Sequence, residues 1–280
     1  MKSHAEGGDC LNTKRCIGLR TVVSVSFLLM IVVNVLAEVL PLGGRTTGQV
    51  SDAYPNLFSP AGYTFAIWGL IYLLGALHTL YQLGIFRSRR AEADEKLLAR
   101  VAVLFSVTSL ANAAWVIFWH CDQIALSMAM MLVILASLAL IMVMLRKKTL
   151  STREKILIRL PFSVYFGWIT VATIANATTL LVALRWDRWG LSEGFWTAAV
   201  LVAGLLLGAA WIFRTKDLAY GLVLVWAYTG ILVKHFTVFA GAHPVVIAVT
   251  VVCIAAFIAL MGYIGFFEGR WLKAVHDGKA

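Results

Sequence analysis

The sequence predicts an all-α membrane protein with about eight transmembrane helices, and three observations carry that reading. Hydrophobic residues make up 61% of the 280 residues and charged residues only 14%, whereas a soluble domain carries roughly 25% charged residues. So few charges cannot cover a water-facing surface, and the mean hydropathy is +0.85. The apolar residues fall into eight runs of 19 to 25 residues, and about 20 residues cross a bilayer as a helix. Charge placement is the third observation. With the N-terminus inside, the inner segments hold 20 of the 24 Lys and Arg, leaving Arg45, Arg185, Arg188 and Lys234 outside. The positive-inside rule then gives cytoplasmic N- and C-termini and an even number of spans.

The expected helices cover residues 21–40, 61–84, 101–119, 124–145, 160–184, 195–213, 218–240 and 244–267. The first follows a basic approach ending at Arg20. It reads as a retained span, because the run is 20 residues long and no small-x-small cleavage site precedes Pro41. Ser59 and Pro60 are expected to cap and open the second helix, Pro161 to open the fifth and Pro244 the eighth, since a first helical turn has no use for the missing amide hydrogen. Gly204 and Gly208 form a GxxxG in the sixth, which favours close helix contact. The expected organisation is a tail of residues 1–19, a five-helix core over 20–185, a three-helix extension over 186–270 and a tail of 271–280. The two tails are expected to be cytoplasmic.

The net charge of +10 does not point to nucleic acid. Clusters such as Arg87/Arg89/Arg90 and Arg146/Lys147/Lys148 sit at span ends, where they set topology and meet anionic lipid. Cys10, Cys16, Cys121 and Cys253 have no metal-ligand spacing and form no disulfide framework, so no metal site is expected. No hydrolase, phosphate-binding or dinucleotide motif is present. No carboxylate pair or Cys/His set converges, which makes conventional acid–base catalysis the least supported class.

Polar side chains inside the spans are the informative residues, because each costs free energy until it finds a partner. Asn34 and Glu38 share a face near the outer end of helix one. Asn112 lies mid-helix three, and Thr170, Thr173 and Asn176 lie on helix five. His78 is expected to be a satisfied or interface-facing histidine and not a ligand, and Lys234 to snorkel or to pair with Glu38. Trp186, Trp189 and Trp271 sit at span ends and read as interface anchors. Trp68, Trp115, Trp119 and Trp168 belong to helices two, three and five. An aromatic-walled cavity with a few polar groups suits a flat, apolar ligand.

Several segments resemble the translocator protein/TspO family, the tryptophan-rich sensory proteins. Phe58 to Tyr72 is similar to the opening of that family's second helix, with Trp68 and Tyr72 reproducing a Trp and a Tyr four residues on. Asn112 and Trp115 resemble its Leu-Asn-x-x-Trp segment. Leu160-Pro161-Phe162, Trp168, Ala172-Thr173 and Asn176 resemble its Leu-Pro-Tyr, Trp and Ala-Thr-x-x-Asn. Tyr63 stands where a Trp is usual, Ala177 where Trp or Phe is common, and three spans are added to the family's five. The resemblance covers roughly residues 20–185.

It implies a receptor-like membrane protein that binds a tetrapyrrole or similar ligand between helices one, two, three and five. The implied ligand residues are Tyr63, Trp68, Trp115, Trp168, Asn34, Asn112, Asn176 and Thr173. The first loop would form a lid through Arg45, Asp52, Tyr54 and Phe58, with Arg45 and Asp52 as contacts for ligand carboxylates or as latches. No cofactor is required. The expected partners are the lipid bilayer and a small apolar ligand, with a homodimer as a candidate state and the bacterial inner membrane as the expected location. Two other classes remain: a secondary transporter using Glu38, Lys234 and His235, and a structural subunit held by the GxxxG surface.

Overall fold

The computed structural model describes the backbone of residues 3–40, 42–86 and 95–276 and, within these, side chains from Ile17 to Phe266. Arg87, Arg89, Arg90, Cys10, Cys16 and Trp271 therefore fall outside the described side chains. Among the described residues there is no strand, and eight helices are long and apolar enough to cross a membrane. They are span one Ile17–Val39, two Gly62–Gln82, three Glu95–His120, four Ile124–Arg146, five Thr152–Ala183, six Glu193–Thr215, seven Leu218–Thr237 and eight Pro244–Phe266. Large aliphatic side chains such as Val22, Val25, Leu28, Leu206, Leu207 and Val252 lie exposed. In water such a surface would aggregate; in hydrocarbon it is solvated.

Two expected helix starts are corrected. Ser59 does not cap span two: its hydroxyl donates to Asn56 Oδ1 at 3.0 Å, and the span opens as a 3₁₀ turn over Gly62–Ala66 before the α-helix begins at Ile67. Span five begins at Thr152, ahead of Pro161. Ser151 and Glu154 form a reciprocal capping box there, and a π-turn over Lys155–Arg159 follows. A proline inside a helix strips the carbonyl four residues back of its donor. That carbonyl belongs to Leu157, and it accepts from His78 Nδ1 at 3.0 Å. His78 Nε2 is in turn 3.3 Å from Gln82 Nε2. His78 is thus the satisfied histidine expected of it, and it repairs the defect that Pro161 creates.

The chain divides into two compact units. The first comprises the chain up to Val50 with Ile67–Phe166, the second Ser51–Ala66 with the chain from Gly167. The boundaries fall in the first loop after Val50 and inside spans two and five, a different partition from the grouping into 20–185 and 186–270.

In the first unit, span three packs against spans one and four. Its centre is a ring cluster in which His78 lies edge-on to Phe162 at 4.7 Å and to Phe105 at 5.3 Å. Phe27 closes the cluster 5.7 Å from Phe105. A Cβ at Gly75 would come within 2.7 Å of the Phe27 ring, so glycine lets that ring lie against the helix backbone. The cavity lined by Phe27, His78 and Phe162 holds about 10 Å³, room for at most one water.

In the second unit, spans six, seven and eight pack through glycines. A Cβ at Gly204 would strike the Tyr228 hydroxyl, and one at Gly208 would strike Leu224 and the Phe257 ring. Tyr228 OH donates to Leu201 O at 2.8 Å. The segment preceding Ile67 is clasped to span seven, where Ala61 N donates to Gly230 O at 3.0 Å and Trp226 Nε1 to Thr64 O at 3.0 Å.

Candidate ligand site

Within the first unit, several residues singled out by the sequence converge. Trp68 stacks on Tyr72 with centroids 5.7 Å apart, tilts against Trp115 at 5.9 Å and meets Tyr165 edge-on at 5.8 Å. Trp115 stacks on Trp119 at 5.7 Å. Trp68, Trp115, Trp119 and Tyr165 are all buried. The spacing explains the array: Trp68 and Tyr72, like Trp115 and Trp119, are four residues apart and share a helix face.

A polar chain runs beside the rings. Asn34 Nδ2 donates to Asn112 Oδ1 at 2.8 Å and to Met30 O at 2.8 Å. Asn112 Nδ2 donates to Tyr165 OH at 3.0 Å. Buried amides without partners would be costly in hydrocarbon, and here each amide anchors the next. Tyr165 is the member the sequence did not disclose, since a lone tyrosine on an apolar helix carries no periodic signal. Tyr72 could have been found from its spacing to Trp68.

One end of this array is tied to the first loop. Thr46 and Gln49 make reciprocal bonds, Thr46 N to Gln49 Oε1 at 2.8 Å and Gln49 N to Thr46 Oγ1 at 3.3 Å. This capping arrangement starts the short helix Thr47–Asp52. Three ties hold that start. Glu38 Oε1 accepts from Thr47 N at 3.0 Å, Trp119 Nε1 donates to Thr47 O at 3.1 Å, and Arg45 pairs with Asp122 at 2.5 Å. Trp119 therefore belongs to both the ring array and the loop attachment.

The other expected residues lie in the second unit. Tyr63 sits edge-on to Trp226 at 5.6 Å and Trp168 edge-on to Phe65 at 5.8 Å. Thr173 Oγ1 donates to Ile169 O within its own helix, and Asn176 is buried. Phe58 is buried and Tyr54 half-buried. Lys234 does not pair with Glu38. Its Nζ lies 2.6 Å from Asp52 Oδ1, with the lysine side chain 8% and the aspartate side chain 54% exposed. A neighbouring carboxylate removes the need to snorkel. His235 Nε2 lies 2.9 Å from Leu57 O, so the cation and the imidazole of span seven both hold the 51–57 segment.

A family model described as TSPO-like protein matches residues 20–264. The chain belongs to the TSPO-like family. No curated protein and no solved structure matches it. The match runs through spans six and seven and most of span eight, so the three added helices of this TSPO-like protein lie within the family assignment. Eight apolar helices and the family together make it an integral membrane protein.

Proposed function

We propose that this TSPO-like protein is a ligand-binding, sensory membrane protein whose ligand is flat and largely apolar, a tetrapyrrole or a molecule of similar shape. The observation that carries the reading is the array of buried Trp68, Trp115, Trp119 and Tyr165 with half-buried Tyr72, beside the Asn34–Asn112 pair. Indole faces offer large apolar area with specific ring geometry, and the amides supply the few polar groups that orient a ligand. The loop helix beginning at Thr47 is the lid. Its ties to Glu38, Asp122 and Trp119 are released when a ligand enters.

The transport reading has its three groups already engaged, Glu38 with Thr47 N, Lys234 with Asp52 and His235 with Leu57 O. The N-in, C-in orientation belongs to this proposal through the charge distribution, and the bacterial inner membrane is the location proposed with it.

Titration of the purified protein with protoporphyrin IX, followed by tryptophan quenching, tests the site. Aromatic pairings contribute about 0.5–1.5 kcal/mol each. The Trp68→Phe/Trp115→Phe double variant is therefore expected to bind roughly five- to a hundredfold more weakly. Equal affinity in wild type and double variant would remove the site.

A further inference from the structure

We propose that the second unit carries a separate binding site, at the junction of spans five and six, for an anionic amphiphile: one oxyanion head on an apolar body. A cavity of about 390 Å³ opens there, at the lower end of the roughly 300–1,000 Å³ typical of ligand pockets. Its walls include Phe58, Leu181, Val182, Val200, Trp186 and Trp196. Trp186 and Trp196 are half-buried, with ring centroids 5.0 Å apart. Trp196 Nε1 already donates to Arg188 O at 2.8 Å, which leaves the indole face as its remaining binding surface. An interface anchor projects its indole into the headgroups; these two enclose space. The anchor expected at Trp186 is therefore also a cavity wall.

The charge at the rim points to an anion. Arg185 and Arg188 both line the cavity. Arg188 lies 3.8 Å from Glu193 Oε2, while Glu193 Oε1 accepts from Leu57 N at 3.0 Å. The Arg185 guanidinium has no hydrogen-bond or ion-pair partner among the described residues. Among the residues lining the cavity two guanidinium groups stand against one carboxylate; Asp187, in the same turn, does not line it and spends Oδ1 on Trp189 N at 2.9 Å.

The backbone supports the same assignment. Trp186 N donates to Leu181 O at 3.0 Å and Arg185 N to Val182 O at 2.9 Å, the bond pair of a helix-terminating motif whose left-handed residue is usually glycine. Here that residue is Arg185, with φ 52°, and Arg188 and Trp189 are also left-handed at 59° and 52°. Side chains in this region cost of order 1 kcal/mol each. The turn holds its cation at the cavity mouth despite that cost.

The opposite wall is pinned. Asn56 Oδ1 accepts from Phe58 N, Ser59 N and Ser59 Oγ, and Leu57 is held at both N and O. The site lies at the ends of two apolar spans, the depth at which the head of an amphiphile resides. It is independent of the array around Trp68 and Trp115, none of whose residues lines it.

A membrane phospholipid and a free amphipathic acid both present this chemistry. The test measures retention of radiolabelled oleate and of methyl oleate by the full chain in neutral detergent, with phosphatidylglycerol and phosphatidylcholine as competitors. Saturable oleate binding is expected, with the ester bound at least about tenfold more weakly. A charge-assisted hydrogen bond accounts for roughly a ten- to hundredfold difference, so Arg185→Gln is expected to weaken oleate by that factor and leave the ester unchanged. Val200→Trp, which fills the cavity, is expected to abolish retention. Displacement by phosphatidylglycerol but not phosphatidylcholine assigns the site to lipid; oleate binding unaffected by either assigns it to a free acid. Equal retention of acid and ester, or of oleate by wild type and Arg185→Gln, would overturn the proposal. Trp68→Phe/Trp115→Phe is expected to retain oleate fully, which separates failure here from failure of the array.

Discussion

Replacing Gly204 and Gly208 with leucine is expected to disrupt the second unit. A side chain at Gly204 would enter the space of the Tyr228 hydroxyl, which is fixed by its bond to Leu201 O. A side chain at Gly208 would meet Leu224 and come within 3.0 Å of Phe257. Span six has no open direction at either position, so the neighbouring helices must separate. Overpacking costs about 1–3 kcal/mol per site, and helix association in a membrane depends on such close packing because lipid supplies no hydrophobic drive. Thermal unfolding in detergent is expected to show a midpoint lowered by roughly 5–15 °C, or loss of the monodisperse species. Gly262→Ala is the control, since nothing lies within 4 Å of a Cβ there, and it should change little. The result also bears on oligomerisation: this glycine pair is occupied by the chain's own side chains and is not a free surface for a partner.

The second large effect is asymmetric. Asp52→Ala is expected to destabilise more than Lys234→Met, although both remove the same ion pair. Lys234 is buried with its Nζ 2.6 Å from Asp52 Oδ1. Truncating the aspartate leaves an ammonium without its counter-charge, a change that costs about 3–5 kcal/mol when the site is wholly dry. Asp52 is half exposed, so water reaches the vacated position and the cost falls to about 1–3 kcal/mol. Lys234→Met removes the charge itself and leaves a solvated carboxylate, for an expected change under about 1 kcal/mol. The double variant should recover much of the Asp52→Ala loss. Melting of the four proteins in a double-mutant cycle checks this. Equal effects of the two single changes would mean that the lysine finds another partner.

The eight spans were legible because their signal is length and hydropathy, which do not depend on what each helix touches. The faces were not legible. In a bilayer the lipid-facing side is as apolar as the packed side, so the periodic contrast that marks a buried face in a soluble helix is missing. That is why nothing in the sequence marks Tyr165, and why the position of Trp186 at a span end signals an anchor and not also a wall. Asn34 and Asn112 were legible for the opposite reason: an amide in hydrocarbon must be bonded, so its residue type alone announces a partner. The loop partners were hidden. Nothing in the sequence links Asp52 to Lys234, or Arg45 to Asp122, because depth along the membrane normal restricts which charges can meet without choosing between them. The start of span five is not legible because the Ser151–Glu154 capping box and the π-turn are polar enough to read as loop.

Fluorine NMR of the protein labelled with 5-fluorotryptophan tests the central claim, that the first unit's ring array is the ligand site. The chain has 10 tryptophans, and single Trp→Phe variants assign their resonances. Saturation with protoporphyrin IX is expected to shift or broaden the signals of Trp68, Trp115 and Trp119 and leave those of Trp211 and Trp226 in place. Changes confined to Trp186, Trp189 and Trp196, or no change at any indole, would contradict it.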